Sequence, residues 1–280
     1  LVNPRGIVVG SDGSVNTSGF TASTLNITDA DFLNGQYRFS RDGATGEVIN
    51  QGTIKTTPGG YVALLGARVS NEGQIIAPQG GVALGAADHI NVPVGSTGKI
   101  KLELSPASIN ASVANQKGGV IVAEGGQVYL QAGAMNGAIA SVLQSGSIDT
   151  SGAQAGDVHL LADGGRIVVD GQIKANSSDA NAKGGSIGEA GSVTNPQANT
   201  TNDLEIDSQR YVTGTIGARA TNSIFLTFKQ DIRIINNQTR TSSGSKTILA
   251  RTTEVIRINR KTNNRTKHST SGSRLSNSPK

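Results

Sequence analysis

The sequence contains no cysteine and no tryptophan, and aromatic residues make up only 3% of its 280 positions. Without cysteine, disulfides, thiolate metal sites and cysteine nucleophiles are all excluded. The scarcity of aromatics argues against a single globular core, because large aromatic side chains usually dominate the energetics of such cores. No apolar run approaches the roughly 18 residues of a membrane helix, so we predict no transmembrane segment.

Histidine is also rare, and residues that could do chemistry are scattered. None of His89, His159 and His268 has a partner at metal-ligand spacing. Asp29 and Asp31 are two positions apart and could hold a cation or act as an acid–base pair, but turn-forming or capping aspartates are far commoner. No glycine-rich stretch has the ending of a phosphate-binding loop. We therefore predict no catalytic residue, no metal and no cofactor.

Glycine is abundant, with 37 copies, and it punctuates a repeat. Six glycines each precede an isoleucine by two positions, and these isoleucines are 21, 25, 21, 27 and 25 residues apart: Ile54, Ile75, Ile100, Ile121, Ile148 and Ile173. A period of roughly 20 to 50 residues indicates a repeat architecture. Short stretches that alternate apolar and polar residues between Gly, Asn and Pro corners predict strands. We therefore expect an all-β solenoid, with the six isoleucines stacked in one internal ladder.

Two asparagines occupy one corner of consecutive coils. Asn50 and Asn71 could stack as a short internal amide ladder, or they could be two ordinary turn residues. The following coils carry other residues at that offset from the glycine: Ser96, Lys117, Gln144 and Val169. Any ladder is therefore predicted to stop at Asn71.

Residues 20–47 interrupt the repeat and hold four of the nine aromatic residues. Period-two stretches around Leu25–Ile27 and Tyr37–Phe39, joined by a turn at Asn34-Gly35, suggest two strands. We therefore predict an extra-helical, hairpin-like insertion near the N-terminus, packed against the outside of the solenoid.

Acidic residues are nearly absent from the C-terminal quarter. Residues 1–209 hold 11 Lys and Arg against 18 Asp and Glu, a balance of −7, whereas residues 210–280 hold 14 against two, a balance of +12. Such asymmetry can indicate a nucleic-acid-binding or membrane-surface tail. The basic part lacks the interleaved aromatics on which single-strand binders stack bases. We therefore favour a solvated basic face and predict no specific nucleic-acid partner.

A second repeat lies within this basic part. An offset of 24 relates two pairs of segments: Ser223–Leu226 with Thr247–Ala250, and Ile232–Ile234 with Ile256–Ile258. We predict an irregular segment and further basic coils over residues 191–260. Residues 261–280 are too polar to offset their ordering entropy, and we predict a disordered basic tail there.

Several segments of the first 90 residues resemble blocks of a known family: Asn3–Ile7, Gly19–Ile27, Asp29–Leu33, Tyr37–Phe39, Gly60–Gly66 and Val69–Gly73. Asn3-Pro4-Arg5-Gly6-Ile7 resembles the Asn-Pro-Asn-Gly-Ile motif of the two-partner secretion exoproteins, the filamentous-haemagglutinin and high-molecular-weight adhesin family. Arg5 stands where that motif has its second Asn. The resemblance is specific over residues 3–90 and generic to about residue 190.

The resemblance implies a right-handed parallel β-helix that forms a secretion-domain-like unit over residues 1–190. It also implies a Gram-negative exoprotein, secreted or displayed on the cell surface through a dedicated barrel transporter of the outer membrane. Asn3, Pro4, Gly6 and Ile7 are then the candidate recognition residues, although Asn, Pro and Gly also do ordinary turn work. The chain opens without Met, and the family's earlier Asn-Pro-Asn-Leu motif is absent. We therefore expect a fragment whose own start lies upstream.

Within the parent protein, the expected output is adhesion to a host or neighbouring cell, without catalysis by this chain. One alternative is the exoprotein stem of a cytolysin or of a contact-dependent toxin. Another is a β-helical polysaccharide-degrading enzyme, which would need several carboxylates, often with calcium, and a base clustered on one face. Asp149 and Asp170 lie near equivalent corners of adjacent coils but are not predicted to stack.

Overall fold

Parallel strands stacked coil upon coil make up most of the computed structural model. The structure describes residues 1–93, 100–169, 171–179 and 185, and beyond these the backbone of the strands between Ile187 and Ser269. A short helix, α1, covers Asp29–Leu33.

The strands are short, and most of them belong to the coils. Those of the first 180 residues are β1 Ile7–Val9, β2 Ser14–Ser23, β3 Arg38–Ser40, β4 Glu47–Asn50, β5 Thr53–Gly66, β6 Arg68–Asn71, β7 Gln74–Ile76, β8 Gly81–Ala86, β9 His89–Asn91, β10 Glu103–Ser105, β11 Ala111–Asn115, β12 Val120–Val122, β13 Gln127–Gly133, β14 Ala140–Gln144, β15 Ser147–Asp149, β16 Asp157–Val169 and β17 Gln172–Lys174. The later ones are β18 Ile187–Thr194, β19 Gln197–Asn199, β20 Leu204–Asp207, β21 Val212–Thr213, β22 Thr215–Arg219, β23 Ile224–Phe228, β24 Ile232–Asn236, β25 Ile248–Thr252, β26 Ile256–Arg260 and β27 His268–Ser269.

Strands of successive coils lie beside each other in three parallel stacks. The first stack runs through β1, β4, β6, β11, β14 and β16. The second runs through β2, β5, β7, β12, β15 and β17. The third uses the later parts of β2 and β5, followed by β8, β13 and β16. In-register parallel pairing of this kind confirms the predicted all-β parallel β-helix.

Five of the six predicted isoleucines form the internal ladder. Ile75 lies beside Ile54 on one side and beside Ile121 on the other. The ladder continues to Ile148 and Ile173. All five side chains are at most 1% exposed. Since burying an isoleucine contributes roughly 1.5–3 kcal/mol, the ladder is a principal source of stability between coils.

Ile100 does not belong to the ladder, and the prediction for it is wrong. The chain leaves the coil after β8 and rejoins it at Ala107, which bridges to Ala134. The 46 residues from Ile75 to its neighbour Ile121 therefore make one long coil instead of two. Ile100 is buried in a second apolar cluster, outside the coils, together with Leu25. A Gly-x-Ile spacing does not distinguish the two clusters, because both bury an isoleucine equally well.

A small antiparallel sheet covers this second cluster. Its central strand is β9, which pairs with β3 on one side and with β10 on the other. The excursion that contains α1 and β3 leaves the first coil after β2, and β9 and β10 come from the excursion that contains Ile100. Phe39 on β3 and Ile90 on β9 lie side by side and are both nearly fully buried. Two excursions, whose paired residues Phe39 and Ile90 are 51 positions apart in sequence, therefore close over one outer face of the helix.

The predicted insertion over residues 20–47 starts too early. Phe20–Ser23 continues β2 and pairs with β5 up to Ser23 beside Leu65, because the alternation of this segment matches the coil. The segment after it contains α1, where the sequence suggested only an Asn-Gly turn between two strands. Thr28 explains the helix, since its Oγ1 accepts a hydrogen bond from the main-chain N of Asp31 at 3.1 Å, which caps the first turn.

A row of buried amides, which we call the amide ladder, runs beside the isoleucines. Asn50 Nδ2 donates to Asn71 Oδ1 at 2.8 Å, and Asn71 Nδ2 donates to Asn115 Oδ1 at 2.8 Å. Asn115 Nδ2 donates in turn to Gln144 Oε1 at 2.9 Å. The prediction that the series stops at Asn71 is wrong, because the next coil reaches its glycine, Gly119, four residues after the asparagine instead of two.

Valine ends the amide ladder on both sides. Val9 lies beside Asn50 in the preceding coil, and Val169 lies beside Gln144 in the following one. Asn50 Oδ1 is buried and, among the described residues, has no hydrogen-bond donor. At the other end Gln144 Nε2 is satisfied, since it donates to two main-chain oxygens at 3.1 and 3.3 Å.

Parallel pairing continues into the basic part of the chain. β23 pairs with β25, and β24 pairs with β26, each at the predicted offset of 24 residues. β27, which lies within the predicted tail, pairs antiparallel with β26 of the predicted basic coils. The remainder of residues 261–280 lies outside the described residues.

Candidate functional site

The candidate recognition motif folds as a tight turn at the start of the first coil. The main-chain N of Gly6 donates to the carbonyl oxygen of Asn3 at 3.1 Å, and Asn3 Oδ1 accepts from the main-chain N of Arg5 at 3.1 Å. Pro4 occupies the second position of this turn, where its fixed φ is already correct. Two hydrogen bonds and a proline therefore fix the backbone of the motif.

Two glycines allow this turn to sit against the next coil. Gly6 has a φ of +132°, which favours glycine because it lacks Cβ. A Cβ on Gly46 would lie 2.6 Å from the carbonyl oxygen of Pro4 and 2.7 Å from the main-chain N of Gly6. The turn and the segment before β4 are therefore in main-chain contact. A side chain at Gly46 would push them apart, whereas a side chain at Gly6 would strain the backbone of the turn.

The motif residues divide between the surface and the core. Asn3, Pro4 and Arg5 are exposed, whereas Ile7 is only 6% exposed and belongs to the internal cluster. The next residue, Val8, points outward and is 61% exposed. The predicted set of Asn3, Pro4, Gly6 and Ile7 thus comprises a surface turn and one core residue that anchors it.

An open groove of about 620 Å³ lies beside the turn, and we call it the turn groove. It is lined by the Pro4–Gly6 turn, by residues 43–47, and by the outward side chains of Val8, Ile49 and Arg68. Arg68 forms an ion pair with Glu47 across neighbouring coils. Both side chains are about half exposed, so this pair contributes at most about 1 kcal/mol.

The turn groove could not be predicted from the motif. Its far wall comes from residues 43–47, which contribute no recognisable pattern of their own. One signal was present: Glu47 and Arg68 are 21 residues apart, which is the spacing of the two coils that carry them, and opposite charges at that spacing predict a pair across coils.

A second concavity of about 440 Å³ lies on the antiparallel sheet beside α1. There Arg38 forms an ion pair with Asp31. Its hydrogen bond holds the pKa of the Asp31 carboxyl below its usual value, and the carboxyl raises the pKa of Arg38. The hypothesis that Asp29 and Asp31 form a cation or acid–base site gains no support, since both lie in the first turn of α1. Phe32 and Leu33 beside them are 61% and 81% exposed.

Asp88 joins the two excursions to the coil. Its carboxylate accepts hydrogen bonds from Arg41 and from both the main-chain N and the hydroxyl of Ser108, the latter two at 3.0 and 3.1 Å. Burial alone would raise the pKa of Asp88, but the hydrogen bonds from Arg41 and Ser108 outweigh burial and lower it. We call Asp88, Arg41 and Ser108 the Asp88 node. Its role is structural, because both partners of Asp88 are residues that close the excursions.

The remaining titratable candidates do not converge. His159 stacks on Tyr129 with ring centroids 4.6 Å apart, and burial lowers the pKa of this histidine, partly offset by the charge of Asp157. Asp149 accepts from the main-chain N of Ser151 at 2.9 Å, as a turn residue does. Asp170 lies outside the described residues.

Within the described part of the chain, no group of three or more His, Asp or Glu residues could hold a metal ion. No helix there is long and apolar enough to cross a membrane.

Comparisons with known proteins find the same architecture elsewhere. Residues 1–107 match the family model of the TPS secretion domain. The crystal structure of the HMW1 secretion domain from Haemophilus influenzae matches with a TM-score of 0.59 and 25% sequence identity. The match covers 84% of this chain and 66% of that chain, so the chain spans just under two thirds of the solved protein's length. Comparison with curated protein sequences gives no match.

Proposed function

We propose that this chain, which belongs to the two-partner secretion exoproteins and carries their TPS secretion domain in residues 1–107, presents the Asn3–Gly6 turn to its transporter. A TPS domain is the part of an exoprotein that an outer-membrane transporter recognises, and the chain is therefore a secreted one. The family is one of secretion domains and not of enzymes. What remains to be assigned is the surface through which recognition occurs.

The observation that carries this proposal is an exposed but rigid turn within the matched domain. Asn3, Pro4 and Arg5 are exposed, while the turn is held by the hydrogen bonds of Asn3 and anchored by buried Ile7. A rigid exposed segment binds at lower entropic cost than a mobile one, because little conformational freedom is lost in the complex. A turn with a purely structural role would only need to fix the start of the first coil. It would not need three exposed side chains on a preformed surface.

A double substitution in the turn tests the proposal. Asn3→Ala with Pro4→Ala removes the side-chain acceptor and the fixed φ, yet touches no buried side chain. We expect secretion of the full exoprotein to fall at least tenfold, with the chain retained in the periplasm. Ser14→Ala, an exposed change in the same coil outside the turn, is the matched control.

The amount of exoprotein in the medium and in the periplasm is measured by immunoblot, with circular dichroism of the purified variants as a check on folding. Unchanged secretion of the double variant would mean that these residues have only a structural role. Loss of secretion together with loss of the β signal would show that the substitutions act through folding, and would also count against direct recognition.

For the parent protein, we propose adhesion at the cell surface as the biological output. The support is the resemblance of residues 3–90 to secretion domains of the haemagglutinin and high-molecular-weight adhesin family. Cells that carry or lack the parent gene should differ in attachment to host or neighbouring cells. Equal attachment, with a difference instead in lysis or growth inhibition of those cells, would favour a cytolysin or a contact-dependent toxin.

A further inference from the structure

We propose that the turn groove receives an acidic, extended segment of the transporter, and that Arg5 determines which transporter this chain fits. This inference rests on the proposed function of the Asn3–Gly6 turn and adds a binding surface, the chemistry of the partner and a specificity residue. It follows from the shape of the groove, from its charge, and from the way in which the turn uses Arg5.

The floor of the turn groove is apolar and elongated. Val8 and Ile49 lie side by side on neighbouring strands and share the outward face of the first stack. Val8 is 61% exposed, unlike most valines of the coils, which point inward. The Pro4–Gly6 turn and residues 43–46 border this floor. A shallow floor of this kind, running across strand backbones, fits a single extended chain better than a compact ligand.

The charged groups around the floor leave an excess of positive charge. Two guanidinium groups, those of Arg5 and Arg68, line the turn groove against one carboxylate, that of Glu47. Glu47 is already paired with Arg68. Arg5 is exposed and has no ion pair among the described residues. A carboxylate on the partner would therefore complete the charge balance, and such complementarity mainly favours specificity and association rate.

The turn leaves the Arg5 side chain free to vary. Arg5 contributes only its main-chain N to the turn, through the hydrogen bond to Asn3 Oδ1. A different side chain at position 5 therefore alters the chemistry of the groove without altering the turn that borders it. The related motif has Asn at this position, so this chain carries a cation where that motif has a neutral side chain.

The test is binding of the purified 280-residue chain to its detergent-solubilised outer-membrane transporter, measured as a Kd at several salt concentrations. Arg5→Glu should weaken binding roughly tenfold at low salt, and Arg5→Asn about threefold, because Arg5→Asn removes one exposed charge pair and the charge reversal adds repulsion. Both differences should shrink as salt screens the pair. Lys55→Glu makes the same charge change on an exposed residue outside the turn groove and should leave the Kd unchanged.

Each result has a distinct meaning. Equal weakening by Arg5→Glu and Lys55→Glu would mean general electrostatic attraction and would overturn the groove proposal. No effect of Arg5→Glu, while Asn3→Ala with Pro4→Ala abolishes binding, would keep recognition by the turn and reject the groove. Absence of binding by the unchanged chain would contradict both proposals.

A photo-crosslinking amino acid at position 8 independently tests whether the transporter binds in the turn groove. Replacing Val8 should yield a crosslinked product with the transporter, and mass spectrometry should identify the captured peptide as rich in Asp and Glu. The same replacement at Ile139, which is 56% exposed but not part of the turn groove, serves as the control and should not crosslink. A crosslink from position 139 alone, or capture of a basic peptide at position 8, would contradict the proposal.

Discussion

The amide ladder makes a sharp prediction about stability through Asn71, which lies in its interior. Asn71→Val removes two hydrogen bonds of 2.8 Å, one on each side, and a weaker one of 3.3 Å to the main-chain oxygen of Gly73. It leaves Asn115 Oδ1 buried without its donor, whereas Asn50 Nδ2 keeps a bond to the oxygen of Gln74 at 3.2 Å. Valine itself fits the coil, since valine occupies this position at both ends of the ladder.

The expected cost follows from the number of buried groups left unpaired. Each buried polar group without a partner costs about 1–3 kcal/mol, so Asn71→Val should lower the free energy of unfolding by about 3 kcal/mol. Asn50→Val is the matched control, because Asn50 Oδ1 is already unpartnered and its removal relieves that penalty. We therefore expect Asn50→Val to cost about 2 kcal/mol less than Asn71→Val.

Urea unfolding followed by far-UV circular dichroism measures both variants, and hydrogen exchange locates the coils that open first. Repeat proteins can unfold coil by coil, so the comparison uses the two variants under identical conditions rather than one absolute value. Equal destabilisation by Asn50→Val and Asn71→Val would refute the argument that hydrogen bonding within the ladder, rather than packing, sets the cost.

Further predictions concern the ladders and the Asp88 node. Ile121→Asp should bury an unpaired carboxylate and cost about 4 kcal/mol or more, whereas Val120→Asp on the partly exposed side of the same strand should cost far less; comparable urea midpoints would show that the ladder register is wrong. Val9→Asn should raise the midpoint, because it offers a donor to the unpartnered Asn50 Oδ1, and a lowered midpoint would contradict that. Because the folded pKa of Asp88 is lowered, its contribution is present above the unfolded pKa of about 3.9 and is lost as the pH falls through the lower folded pKa. Wild type should therefore exceed Asp88→Asn in stability at pH 6, and the difference should shrink as the pH falls below about 3.9; a difference that stays constant with pH would exclude the carboxylate charge as its source.

The parts of the fold that the sequence predicts are those in which each coil repeats its neighbour. Ile54 and Ile75 are 21 residues apart and stack, because nothing interrupts the chain between them. Ile100 keeps the same pattern and spacing but belongs to an excursion with its own apolar cluster. Asn115 was missed for the related reason that its coil has two extra residues before the glycine. Periodicity predicts the repeat, but it does not distinguish a coil from an excursion of equal length.

The candidate site also has one part that the sequence predicts and one part that it does not. The Asn3–Gly6 turn is predictable from Asn, Pro and Gly at their preferred positions, and its link to secretion came from a family resemblance that the match over residues 1–107 supports. The turn groove is not predictable from the motif, because its far wall comes from residues 43–47 and its charge depends on Arg68 in the next coil but one. Contacts between coils depend on register, which a motif of five residues does not contain.

Export of the chain with and without its transporter tests the central claim most directly. The 280-residue chain, preceded by a periplasmic export signal, is expressed in Gram-negative cells that either carry or lack the outer-membrane transporter of its own system. We predict that the chain reaches the medium only when the transporter is present and otherwise accumulates in the periplasm. Appearance in the medium without the transporter, or retention in the periplasm in both strains, would contradict the account.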